Sequence, residues 1–144
     1  MLTKVSSISQ IKKGKTHRLP LFASKISAGF PSPADDFLEG KLDLNELMIE
    51  HPAATFFVKV SGDSMIGAGI HDGDMLAVDR SLTPIHGSIV IAVIDGELVV
   101  KRIRKAKRGL WLIPENNQYP PIRITKEHDL MIWGVVTYVI HKTE

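Results

Sequence analysis

The amino-acid sequence predicts a mostly β fold: a compact antiparallel domain with one short helix and an extended amino-terminal arm. Three observations lead there. Runs rich in β-branched residues recur from Thr55 to Ile140. Turn formers punctuate them, at Gly62, Gly69, Asp72-Gly73, Pro84, Gly87, Asp95-Gly96, Gly109, Pro114, Asn116-Asn117 and Pro120-Pro121. The chain has 144 residues and 44% apolar content, enough for a single core.

In order, residues 1–24 show no sustained apolar periodicity, and Gly14 and Pro20 interrupt them. They read as a loosely docked arm. Residues 25–33 are extended by composition, since Pro31 and Pro33 disfavour helix at the residues before them. Within them Ala28-Gly29 is the smallest pair, able to lie flat in a narrow cleft or to serve as ordinary linker. Asp43 to Ile49 reads as a short helix, with Asp43 as cap and Glu46 as its capping-box partner. Leu44, Leu47 and Met48 share one face of it, suited to core or interface packing, and Pro52 ends it. Seven strands follow, over 55–60, 75–78, 88–94, 97–103, 111–113, 122–124 and 131–140. Asp95-Gly96 joins the third and fourth of these as a two-residue hairpin loop.

Composition removes several function classes. The chain has no cysteine, which excludes disulfides, thiolate zinc sites and a cysteine nucleophile, and fits a reducing, cytoplasmic location. No apolar run approaches the ~20 residues that span a bilayer, and no apolar signal-peptide core stands at the start, so no membrane partner is expected. Net charge is +2, too small to imply nucleic-acid binding by itself. Its distribution is uneven. Residues 1–28 carry six basic side chains and no acid, and the remaining 116 residues have a net charge of −4.

Two residues stand out chemically. Ser64 follows a strand that breaks at Gly62, which on its own is more simply the composition of a turn, though it is also one way to present a nucleophile. Lys101 falls on the same strand face as Val99 and Ile103, and the two-residue hairpin sets it opposite Val90. An ammonium there is poorly solvated, so burial favours the neutral amine, a general base for a serine. The alternative is a lysine whose head reaches water past the strand end. Competing patterns are weaker. His17, His51, His71, His86, His128 and His141 are scattered, and Asp72, Asp74 and Asp79 more simply make turns than a metal loop. No metal and no cofactor is assigned. The basic run Arg102, Arg104, Lys105, Lys107, Arg108 reads as a solvated loop that is also able to touch phosphate.

Taken together, Ser61-Gly62-Asp63-Ser64-Met65, His71-Asp72-Gly73-Asp74, Gly87-Ser88-Ile89-Val90 and Val99-Val100-Lys101-Arg102 resemble the self-cleaving serine peptidases of the LexA/UmuD family. Gly29-Phe30-Pro31-Ser32-Pro33-Ala34, Asp43-Leu44-Asn45, His51-Pro52 and Gly134-Val135-Val136 are similar to the UmuD-like members, over about residues 19–140.

The resemblance implies a LexA/UmuD-type peptidase β domain at 55–144, a linker with a short helix at 29–54 and a cleavable arm at 1–28. It implies Ser64 as nucleophile, Lys101 as general base, and the backbone N–H groups of Asp63 and Ser64 as oxyanion hole. The bond cut would be Ala28-Gly29, with Ile26 as an apolar contact. UmuD has Cys before that glycine; Ala, found in LexA, keeps the residue small. By the same resemblance the protein would be a homodimer whose cleavage is stimulated by a RecA–single-stranded DNA filament. The trimmed form would join a UmuC-like Y-family DNA polymerase in error-prone synthesis during the SOS response. The alternatives are a non-catalytic polymerase-binding scaffold of the same fold, a LexA-like repressor's catalytic module, a signal-peptidase-like enzyme and a nucleic-acid-binding β domain. The 28 residues before the cut are too few for a DNA-binding domain, which disfavours the repressor.

Overall fold

The structure is a computed structural model that describes residues 2–10, 18–22 and 38–144. The chain divides into two compact units, one of residues 12–50 and one of residues 1–11 with 51–144. The stretch 25–33, with Ala28 and Gly29, lies outside the described residues.

In the smaller unit, β2 (Arg18–Phe22) pairs antiparallel with β3 (Leu38–Asp43), Leu19 opposite Leu42. A two-stranded ribbon has a free edge on each strand, which is why Pro20 is tolerated within one. Helix α1 (Leu44–Met48) follows directly. The Asp43 carboxylate accepts from the Asn45 N–H at 3.0 Å, the expected cap. Leu44 and Leu47 are exposed, so the apolar face of α1 is not core.

The larger unit holds β1 (Lys4–Gln10), β4 (Thr55–Ser61), β5 (Met75–Asp79), β6 (Ile89–Ile94), β7 (Glu97–Ala106), β8 (Gly109–Ile113), β9 (Ile122–Ile124) and β10 (Leu130–Ile140). All pairings are antiparallel, in the order β1-β4-β5-β10-β6-β7-β8-β9. A further bridge, Lys4 opposite Val99, joins β1 to β7 and closes six strands into a barrel-like sheet. Closure joins the ends of that six-stranded sheet, and β8 and β9 extend it beyond β7. Among the described residues no helix is long and apolar enough to cross a membrane.

The seven strands read from alternation are all present, within three residues at either end. Strand β1 is an addition. Lys4-Val5-Ser6-Ser7-Ile8-Ser9-Gln10 has two apolar residues, and Ile8 is exposed. Its strand state comes from pairing with β4, a tertiary effect that local sequence does not carry.

Alternation divides the core. Val58, Val60, Met65, Ile70, Leu76, Val78, Ile91 and Val100 form one buried cluster. Val90, Ala92, Ile94, Val99, Ile103, Leu112 and Val135 form the other. The β6–β7 turn fixes which side chain goes where. Asp95 and Gly96 have φ of 49° and 85°, the pair of positive values that a type I′ turn requires. That turn sets Val90 opposite Lys101 and Ala92 opposite Val99, as the sequence predicts. A slip of one residue would move Lys101 to the other face.

Strand β10 pairs with β6 through its first half and with β5 through its second, with a register shift on each side. Gly134 sits at the change-over. A Cβ there would lie 2.5 Å from Val78 Cγ1 in the core. Gly134→Ala should therefore destabilise the protein by about 1–3 kcal/mol in chemical denaturation. Parental stability would show that β5 and β10 can part there without cost.

Candidate active site

Strand β4 carries the chain to Gly62, whose φ of 98° turns it out of the sheet. The Gly62 N–H donates to Asp72 Oδ1 at 2.8 Å. The 71–74 turn also grips the strand, since Gly73 N donates to Val60 O and Val60 N to Asp74 O. Beyond Gly62 the loop is held by the segment after β8. Glu115 N donates to Ser64 O at 2.8 Å, and Gly67 N donates to Glu115 O at 2.8 Å. Asn116 Nδ2 donates to Asp63 O at 3.0 Å, and Tyr119 Oη donates to Asp63 Oδ1 at 2.6 Å. A Cβ at Gly67 would stand 2.7 Å from Glu115 O, so this approach needs glycine. Arg102 braces the segment through Nε to Glu115 Oε1 at 2.5 Å.

This framework brings Ser64 and Lys101 together. Lys101 Nζ lies 3.2 Å from Ser64 Oγ across 37 residues of sequence. Ser64 is fully buried and Lys101 is 1% exposed. With no carboxylate salt-bridged to Lys101 among the described residues, burial alone acts on the amine and lowers its pKa from 10.5 to about 8. At pH 7 about one such lysine in ten is neutral. The Ser64 N–H donates in none of the described hydrogen bonds, and so can serve an incoming oxyanion. These are the requirements for a serine activated by an amine: a base in contact, a displaced pKa and a dry setting.

A third residue, without a signal in the sequence, completes the arrangement. The Thr3 N–H donates to Ser64 Oγ at 2.8 Å, and Thr3 O accepts from Val100 N at 3.1 Å. Thr3 is fully buried. Leu2 beside it joins Ile94, Val99, Lys101, Ile122 and His128 around a cavity of about 250 Å³. The amino-terminal end thus covers the pair. Its N–H engages an Oγ lone pair that attack on a carbonyl would need. The fit is imperfect, because Thr3 Oγ1 is buried with no hydrogen-bond partner among the described residues, a condition that costs roughly 1–3 kcal/mol.

The other candidates separate. Among the described residues, His51 Nδ1 contacts Asp79 Oδ2 at 2.5 Å, His86 accepts from Lys105 N, and His128 from Thr125 N. His71 and His141 converge on Asp74. Asp72 and Asp74 share the 71–74 turn but accept from different N–H groups, of Gly62 and His71, while Asp79 accepts from Ser81 after β5. Of the basic run, Arg102 pairs with Glu115, and the rest is exposed on the β7–β8 hairpin.

Comparison with known proteins finds a family model and relatives over most of the chain. The family model for Peptidase S24-like proteins matches residues 20–137. The chain is 52% identical over 124 residues to Protein ImpA of Salmonella typhimurium, covering 86% of this chain and 84% of that protein. It is 45% identical over 136 residues to Protein MucA of Escherichia coli, covering 94% and 92%. A LexA repressor, from Acidithiobacillus ferrooxidans, is 42% identical over 121 residues, but only 58% of that protein is covered.

The buried lysine carries a stability cost with a definite pH signature. Below about pH 8 the amine is charged in both folded and unfolded chains, and the folded protein bears the whole cost, about 3 kcal/mol. As pH rises from about 8 to 10.5, the folded protein releases the proton while the unfolded chain keeps it, so stability rises. Lys101→Met should raise the thermal midpoint at neutral pH, by the equivalent of about 1–3 kcal/mol. The advantage should shrink across that window. A variant less stable than the parent at pH 7 would show that the amine is solvated.

Proposed function

The chain belongs to the Peptidase S24-like family, and we propose that it is a serine peptidase that cuts its own Ala28-Gly29 bond. The observation that carries this reading is the dry 3.2 Å contact between Lys101 Nζ and Ser64 Oγ. A scaffold that only bound a polymerase would gain nothing from a buried lysine that weakens it.

The steps follow from the groups present. The amino-terminal end leaves Ser64, and residues 28–29 of the arm take its place. Neutral Lys101 accepts the Oγ proton as Oγ bonds to the Ala28 carbonyl carbon. The oxyanion is held by the Ser64 N–H, with that of Asp63 as its partner. The C–N bond to Gly29 breaks, and the Gly29 nitrogen takes the proton from Lys101. Water, with Lys101 again as base, then hydrolyses the Ser64 ester to free the Ala28 carboxylate. The products are residues 1–28, with all six basic charges of the arm, and residues 29–144, with the net charge of −4.

The resemblance to UmuD-like proteins extends the reading. The protein acts as a homodimer, a RecA–single-stranded DNA filament favours the docked state of the arm, and the trimmed form joins a UmuC-like Y-family polymerase. RecA acts on the equilibrium between Thr3 and the arm over Ser64, so it need contribute no catalytic group.

The test is mass analysis of the purified chain incubated from about pH 6 to about pH 10, with and without the filament. One cut between Ala28 and Gly29 is expected, with a rate rising about tenfold per pH unit below pH 8 and levelling above it. Ser64→Ala and Lys101→Ala should each reduce it at least about 100-fold. A cut at another bond, or one that survives Ser64→Ala, defeats the mechanism.

A second prediction concerns the cover. Thr3→Pro removes the N–H that engages Ser64 Oγ. Self-cleavage measured at fixed pH should then be several-fold faster. An unchanged or slower rate would mean that the Thr3 contact does not restrain the nucleophile.

A further inference from the structure

The 71–74 turn and the end of β10 meet at a cluster that the peptidase chemistry does not use. Asp74 precedes β5, and His141 follows β10. These strands pair antiparallel with Ile140 opposite Met75, so their ladder places His141 beside Asp74. His141 Nδ1 lies 2.5 Å from Asp74 Oδ1. His71, three residues before Asp74, approaches from the turn with Nδ1 3.7 Å from Asp74 Oδ2. The two imidazole rings face each other with centroids 4.8 Å apart. One potential ligand atom from each residue falls within a 4.8 Å set.

We propose that His71, Asp74 and His141 bind a divalent transition-metal ion, with zinc the best match. Two imidazoles and one carboxylate suit zinc and its neighbours, and are poor ligands for magnesium or calcium, which prefer oxygen alone. Zinc–ligand bonds of about 2.0–2.1 Å in a tetrahedron set neighbouring donor atoms about 3.4 Å apart. One donor atom from each of the three residues lies within 4.8 Å of the others, so small ring rotations bring them to that spacing. The His141–Asp74 contact must open by about 1 Å, and His141 is half exposed and able to turn. The carboxylate is already fixed, because Asp74 is 3% exposed and its Oδ2 accepts from the His71 N–H at 2.8 Å. That second bond orients the ligand as outer-shell partners do in metal sites. The fourth position faces solvent between two exposed rings and takes water.

The bound ion staples the end of β10 to the turn before β5. That turn holds Val60 and Gly62, and so the strand end that presents Ser64. The ion is therefore a structural one, remote from the acyl-transfer chemistry.

Calorimetric titration of the chelator-treated full chain with zinc chloride tests the site. One ion per chain with micromolar affinity is expected, together with a rise in thermal midpoint. His71→Ala and His141→Ala, both at half-exposed positions, should each weaken binding at least tenfold and abolish the rise. Each variant's own metal-free midpoint is the baseline for its zinc-induced shift, because both rings also contact the buried Asp74 carboxylate. His86→Ala, on a separate loop, should bind as the parent does. The absence of a saturable site, or equal affinity in the His71→Ala and His141→Ala double variant, would overturn the proposal. So would equal affinity for magnesium. The readouts are independent of self-cleavage, so failure of the peptidase reading would leave this result intact, and the converse holds.

Discussion

A lysine buried inside the sheet is the constraint on which the rest of the structure depends. Lys101 lies in the middle of β7, 1% exposed, with the Ser64 hydroxyl 3.2 Å away. Keeping it there requires a sheet that cannot slip, because a shift of one residue would exchange Lys101 with Val100 or Arg102. The Asp95-Gly96 turn fixes that register from one end. Arg102, bonded to Gly87 O and Glu115, fixes it beyond Lys101. The two apolar clusters on opposite faces make any other register costly. The fold thus holds an unfavourable charge in place by making each way of relieving it worse, and the reward is a base whose pKa falls to about 8.

Ser64 requires a different kind of support. It stands in a loop, and loops are mobile unless tied. Here the ties come from two distant pieces of chain, the 71–74 turn and the 115–119 segment. Arg102 links the second of them to β7, so base and nucleophile are positioned by one connected frame. Strand β1 acts on the same frame from the amino-terminal side. It is held to β4 largely by backbone pairing, with most of its side chains exposed. Such a strand has little apolar burial to lose and opens at low cost. Its orphaned Thr3 hydroxyl lowers that cost further.

The sequence revealed this arrangement unevenly, for physical reasons. Strands β4 to β10 were legible because they are rich in β-branched and other apolar residues, and turn formers separate most of them. The position of Lys101 was legible because a two-residue loop leaves a single register, and the residue opposite, Val90, followed from counting. The Ser64–Lys101 contact itself was not readable from spacing, since 37 intervening residues fix no distance; the family resemblance supplied it. Strand β1 was invisible, since Ser6, Ser7 and Ser9 give it no apolar face and only the β4 edge makes it a strand. The roles of Glu115, Asn116 and Tyr119 at the Ser64 loop had no local signal, because each reaches Asp63 or Ser64 across about fifty residues. His141 looked unrelated to His71 and Asp74 because a ladder between β5 and β10, not its spacing, brings it to them.

A base that is neutral one time in ten at pH 7, behind a cover, would make a poor enzyme for a free substrate. Under the proposed self-cleavage it need not be a good one. A target carried on the same chain arrives at an effective concentration far above that of any dissolved peptide, and intramolecular presentation supplies several kcal/mol of the barrier. The cleft can then be weak, closed and selective at once. Weakness protects other proteins, because an unattached peptide lacks the tether that would compete with Thr3 for Ser64. Closure protects the chain itself until the balance between cover and arm is shifted. On this view the low reactivity of the pair is the property that makes a one-time cut controllable, and a freely exposed serine with a fully neutral lysine would defeat it.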